Sequence, residues 1–197
     1  MMSDTAVLNP KPYLFAAALL SSLTLLGVIA WMVESRAQIL RNGQEAVLKT
    51  EPIDPRDLLR GRYVRLNYAI QQPAREVVLS FFKTLPEERF YDDQEVFVAL
   101  DLGDNGFHEV SSISIGRPSA PLILRATASF TPNVNGTIRL DYGIGRFYTN
   151  EKLAPELERR MREGETTTVI VAVDRVGNAQ IKAFQQDGID IVTERLY

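Results

Sequence analysis

From Pro12 to Val33 the chain runs 22 residues without a charge, PYLFAAALLSSLTLLGVIAWMV. At about 1.5 Å of rise per residue, a helix of that length covers about 30 Å, the hydrocarbon thickness of a bilayer. No face carries a charged stripe, so it does not read as the amphipathic helix of a soluble core. It exceeds the roughly 7–15 apolar residues of a cleaved signal peptide, although Ser35-Arg36-Ala37 behind it offers a small-x-small site. Ser21, Ser22 and Thr24 can bond carbonyls one turn back, which keeps their hydroxyls from being bare in lipid. Tyr13 and Trp31 stand near the two ends, where aromatic belts form. The expectation is a transmembrane helix over 12–33 that acts as an uncleaved signal anchor.

This divides the chain into an N-terminal tail over 1–11, the membrane helix over 12–33, a linker over 34–45 and a soluble domain over 46–197. The helix can run on into the linker until Gly43 stops it. Orientation is less constrained. A raw count of Lys and Arg leans toward an inside C-terminal flank, with Arg36, Arg41 and Lys49 after the run and only Lys11 before it. Long domains translocate largely regardless of such charges, and a short tail before a long apolar run looks like a signal anchor. The expected place is the inner (cytoplasmic) membrane, with the domain on its extracytoplasmic side.

The remaining residues suffice for one buried core. A net charge of −3 with no basic run gives no reason to expect a nucleic-acid partner. The absence of cysteine excludes disulfides, thiolate catalysis and cysteine metal sites. With His108 the sole histidine, paired-histidine chemistry and histidine-rich metal sites are excluded too. No cofactor or metal is expected.

Alternation of apolar and polar residues predicts a β-rich α+β domain, a sandwich or partly open barrel with one or two peripheral helices. Strands are expected over 46–49, 62–70, 96–102, 110–115, 122–130, 137–142, 166–173, 179–184 and 189–192. Asp104-Asn105-Gly106 and Asn135-Gly136 supply hairpin turns, and Asp174 to Asn178 closes a further hairpin. Val77, Val78, Phe81, Phe82 and Leu85 have helical spacing, although Val and Phe also suit a strand. A second helix is expected after Asn150, with Leu153, Leu157 and Met161 on one face.

Within the first long strand, Leu66 and Tyr68 share the apolar face, while Tyr63 and Arg65 share the other. The stretch Gly61-Arg62-Tyr63-Val64-Arg65-Leu66-Asn67-Tyr68 resembles the signature of the GDYXXLXY family of membrane-anchored bacterial proteins. A second family-like segment is Tyr142-Gly143-Ile144-Gly145-Arg146-Phe147-Tyr148, followed by Glu151 and a helix carrying Glu158. The order of anchor, two segments and closing hairpin extends the resemblance over nearly the whole chain. Arg62 stands where the signature has Asp, so any chemistry resting on that acid is absent here. The resemblance implies a membrane-tethered domain and no named activity.

If the two segments meet in space, arginine and tyrosine line one surface. The candidate binding residues are Arg60, Gly61, Arg62, Tyr63, Arg65, Tyr68, Tyr142, Arg146, Tyr148, Glu151 and Glu158. Arginine and tyrosine favour protein interfaces, and the same groups suit an anionic glycan or lipid head group. Internal ion pairs to Asp57, Glu151 or Glu158 are the structural alternative. No catalytic residue is nominated. There is no G-x-S-x-G elbow and no Walker loop. His108 reads as structural at a strand start. Asp92/Asp93, Asp54/Asp57 and Glu151/Glu158 are carboxylate pairs whose separation the sequence does not fix. The expected function is that of a membrane-anchored accessory protein of the bacterial envelope, more plausibly not an enzyme. Its expected partners are the lipid bilayer and a membrane protein, with no nucleic acid and no expectation for oligomeric state. The alternative is a membrane-tethered enzyme or binding domain for an anionic envelope ligand.

Overall fold

The computed structural model describes residues 12–51, 63–85, 93–131, 137–148, 167–186 and 189–193. The chain divides into two compact units, 1–37 and 38–197. Helix α1 covers Pro12–Asn42 and is long and apolar enough to cross a membrane, with a mean hydropathy of 2.1 over its most apolar window. Phe15 and Trp31 are each 72% exposed, so no protein core covers this part of it. Ser21, Ser22 and Thr24 donate to the carbonyls of Ala17, Ala18 and Leu20, each at 2.9 Å. Their hydroxyls are thereby satisfied without water, as a helix surrounded by lipid would require.

The second unit is β-rich. Its strands are β1 (Gln44–Glu51), β2 (Tyr63–Arg65), β3 (Asn67–Tyr68), β4 (Gln94–Leu102), β5 (His108–Ser114), β6 (Ile123–Thr131), β7 (Thr137–Asp141), β8 (Arg146–Tyr148), β9 (Thr167–Val173), β10 (Ala179–Gln186) and β11 (Ile189–Thr193). They form a five-stranded sheet in the order β11-β10-β9-β1-β3, a four-stranded sheet in the order β5-β4-β6-β7, and a ribbon of β2 and β8. All the described pairings are antiparallel. The apolar residues of both larger sheets contribute to one core, from Leu48 and Val171 on one side to Val98 and Leu124 on the other. Helix α2 (Arg75–Thr84) buries Val78 and Phe81 against it, which settles the helix-or-strand ambiguity of that segment.

Polar contacts join the larger sheets at two places among the described residues. The imidazole Nδ1 of His108, on β5, accepts the backbone N–H of Val47, on β1, at 3.0 Å. Val47 lies where β1 has β9 on one side and β3 has not yet begun on the other, so that amide lacks a ladder partner there. An imidazole nitrogen fills the gap, and His108 is structural as expected. The second contact is at the β9–β10 turn, where Arg125 N–H donates to the Gly177 carbonyl at 2.8 Å. Gly177 has φ +96°, and a Cβ there would stand 3.0 Å from the Arg125 nitrogen, so only glycine permits this approach.

Four expectations change or fall outside the described residues. The strand expected over 62–70 is not continuous. It breaks at Leu66, whose N–H turns to the Gly145 carbonyl at 3.0 Å, and after Tyr68 it tightens into a 3-10 turn over Ala69–Gln71. Alternation alone sees no break, because Leu66, Tyr68 and Ile70 are all buried. The linker 34–45 is helical as far as Asn42, with β1 beginning only one residue after Gly43. The helix expected after Asn150 and the Asn135-Gly136 turn lie outside the described residues.

Candidate functional site

The break at Leu66 is what brings the two motif segments together. Before it, β2 pairs with β8 in the register Tyr63↔Tyr148, Val64↔Phe147 and Arg65↔Arg146. After it, β3 leaves the ribbon and joins β1, with Tyr68 opposite Thr50. The signature therefore bridges two sheets, and its residues Leu66 and Tyr68 are 1% and 0% exposed.

Two tyrosines lock the segments reciprocally. The Tyr68 hydroxyl, from the first segment, donates to the Ile144 carbonyl of the second at 2.9 Å. The Tyr142 hydroxyl, from the second, donates to the Ile70 carbonyl following the first at 2.8 Å. The Ile144 carbonyl sits in irregular backbone and the Ile70 carbonyl in the 3-10 turn, where no strand ladder satisfies either, and a buried unpaired carbonyl is costly. Burial pushes both phenols well above the ordinary phenol range, so neither serves as a base near neutral pH. Phe147 fastens the ribbon from below, its ring 4.5 Å from that of Phe184 on β10. Tyr68 and Tyr142 thus leave the set of surface candidates. They are core latches, because the apolar face that the sequence assigned to Tyr68 closes over its hydroxyl as well.

Arg65 and Arg146 are exposed and face each other across the ribbon. Both have interaction partners in the structure. Tyr63 and Tyr148 are opposed in backbone register at the other end. Arg60, Gly61, Arg62, Glu151 and Glu158 lie outside the described residues, as do the carboxylate pairs Asp54/Asp57 and Glu151/Glu158 and one member, Asp92, of the third. Among the described residues no group of three His, Asp or Glu is placed to hold a metal ion. Ser80 and Lys83, passed over in the sequence reading, have the spacing of a serine–lysine pair. Both are exposed on α2, without the apolar walls that would strip water from the amine.

Two of the hollows among the described residues escape sequence reasoning, because their walls come from distant segments. One, of about 190 Å³, lies between the 3-10 turn and the β4–β5 hairpin, with Ile70, Pro73, Phe107 and His108 in its wall. The other, of about 390 Å³, joins the start of β1 to the loop before β6 and the β9–β10 turn.

A β-rich domain follows an apolar helix, and its two aromatic segments are zipped into a ribbon and latched by buried phenols. The chain belongs to the GDYXXLXY family. The family's model, described as "GDYXXLXY protein", matches residues 25–184, from within α1 into β10. Among curated proteins and among solved structures nothing matches.

Proposed function

We propose that this chain is a membrane-tethered, non-enzymatic accessory protein of the bacterial envelope, whose domain binds a membrane-protein partner through the β2–β8 ribbon. The tether rests on α1. The binding face rests on one observation: the fold gathers two segments 80 residues apart and sets Arg65 against Arg146 on an exposed ribbon. Arginine and tyrosine are the residue types that anchor protein interfaces. Among the described residues neither ribbon strand has a second sheet neighbour, which leaves backbone edges that an extended segment of a partner can join. The location that goes with this reading is the extracytoplasmic side of the inner membrane.

Site-specific photocrosslinking in intact membranes tests the binding face. A crosslinker at position 65 or 146 of the full chain is expected to trap one defined membrane protein, and the same group at exposed Arg139 on β7 is expected not to. Equal yields at all three positions would remove the ribbon as the binding face. Orientation has its own measurement. Protease added outside spheroplasts is expected to digest the domain, and a protected domain would place it in the cytoplasm.

A further inference from the structure

His108 is the sole histidine of the chain, and it stands at the seam of the two larger sheets. Both it and Val47 are half-buried there, and Nδ1 accepts the Val47 N–H at 3.0 Å. An imidazole nitrogen accepts only while it carries no proton, so the contact requires a neutral ring with its hydrogen on Nε2. A ring with two protons donates from both nitrogens and sets N–H against N–H. Imidazole is also the side chain that ordinarily changes charge between pH 5 and 8. The charged groups around the ring offer Val47 no substitute acceptor. Lys49, from β1, shares the wall of the hollow of about 190 Å³ and is a donor only. Glu109, next to His108 in β5, has its Oε1 held by the Asn105 side-chain amide at 2.8 Å. Asp101 on β4 stands opposite Glu109, and the residue opposite His108 is Leu102. The residues that the 3-10 turn and the approach to α2 contribute to the hollow are uncharged.

We propose that His108 is an acid-sensitive fastener, which pins β5 to β1 while neutral and lets go as the pH falls from about 7 to about 5. The sign follows from the geometry. The folded chain needs a bare Nδ1, whereas the unfolded chain has no such requirement. The contact's stabilisation is therefore present at neutral pH and is lost on acidification. Release leaves the Val47 amide to water and loosens the start of β5, while the rest of β5 keeps its ladder to β4. The fastener does not depend on the binding face proposed above.

Nuclear magnetic resonance and hydrogen exchange on the detergent-solubilised full chain test this. At pH 7 the nitrogen signals of the sole imidazole should show a bare Nδ1 and a protonated Nε2. Between pH 7 and pH 5 the ring should take its second proton. Over the same interval the Val47 protection factor, corrected for the intrinsic pH dependence of exchange, should fall roughly tenfold. Asparagine can set an acceptor oxygen at the place of Nδ1 and does not titrate, so His108→Asn should hold the same Val47 protection at both pH values. An equal fall in His108→Asn assigns the loss to another group and overturns the fastener. A native chain whose Val47 protection is unchanged once the ring is doubly protonated overturns it too, as does a ring that stays neutral at pH 5. If His108→Asn does not fold, the two native-chain measurements decide alone.

Discussion

Replacing Tyr68 with alanine is expected to cost about 4 kcal/mol or more, a large share of the 5–15 kcal/mol that holds a typical domain together. The side chain is fully buried, so truncation leaves a cavity, and it also orphans the Ile144 carbonyl. Phenylalanine separates the two effects. Tyr68→Phe and Tyr142→Phe each keep the ring and lose one hydrogen bond, for about 1–3 kcal/mol apiece. The latch also predicts how the domain fails in alkali. Both phenols have folded pKa values raised by burial above the ordinary value of 10.0. Their contribution is therefore fully present below pH 10 and is lost as pH rises beyond it, because only the unfolded chain releases those protons. Each phenol makes folding up to about tenfold less favourable per pH unit in that range. The midpoint of urea unfolding of the detergent-solubilised chain, followed by circular dichroism, should fall steeply above pH 10. It should fall less steeply in either phenylalanine variant and least in the double variant. An alkaline limb that is the same in all four proteins would mean that these hydroxyls are not the groups that titrate.

The latch also shows where the sequence stops speaking. Strand after strand could be read from alternation, because β4, β6 and β9 each place apolar residues on the core, and the turns after β4 and β9 carry Gly106 and Gly177. α1 was legible for a simpler reason, since length and the absence of charge are one-dimensional properties. The signature was legible as a pattern but not as a mechanism. Period-two alternation holds through Leu66, so nothing local announces that its N–H leaves for Gly145 and that the strand divides between two sheets. That decision is made by a segment almost 80 residues later. Likewise alternation puts Tyr68 on the apolar face and Tyr63 on the other, but only the Ile144 carbonyl explains why the Tyr68 hydroxyl is buried along with its ring. The pairing of Arg65 with Arg146 was conditional on the segments meeting, which no spacing could establish. The hollow that Arg117 and Arg175 line was wholly out of reach, for those arginines stand 58 positions apart.

Gly43→Ala is expected to be the most damaging of the small substitutions, at about 3 kcal/mol. Here α1 ends and β1 begins with one residue between them. A Cβ on Gly43 would stand 2.5 Å from the Ile39 carbonyl oxygen, 2.9 Å from the Val173 nitrogen and 3.0 Å from the Val173 oxygen. All three are backbone atoms, so no rotamer relieves the contact. Relief requires either parting the Gly43 N–H from the Ile39 oxygen, now 2.8 Å away, or moving β1 off β9 where Gln44 meets Val173. Gly27 provides the counterexample within the same helix, because a Cβ there meets nothing within 4 Å. Alanine at 27 should be neutral or slightly favourable by helix propensity. The melting temperature of the full chain in detergent should thus drop by roughly 6–12 °C for Gly43→Ala and hold for Gly27→Ala. Hydrogen exchange should speed up first at the Gln44–Leu48 amides. If the two variants melt alike, the one-residue passage from helix to strand is looser than its backbone distances say, and Gly43 is no more than a helix stop.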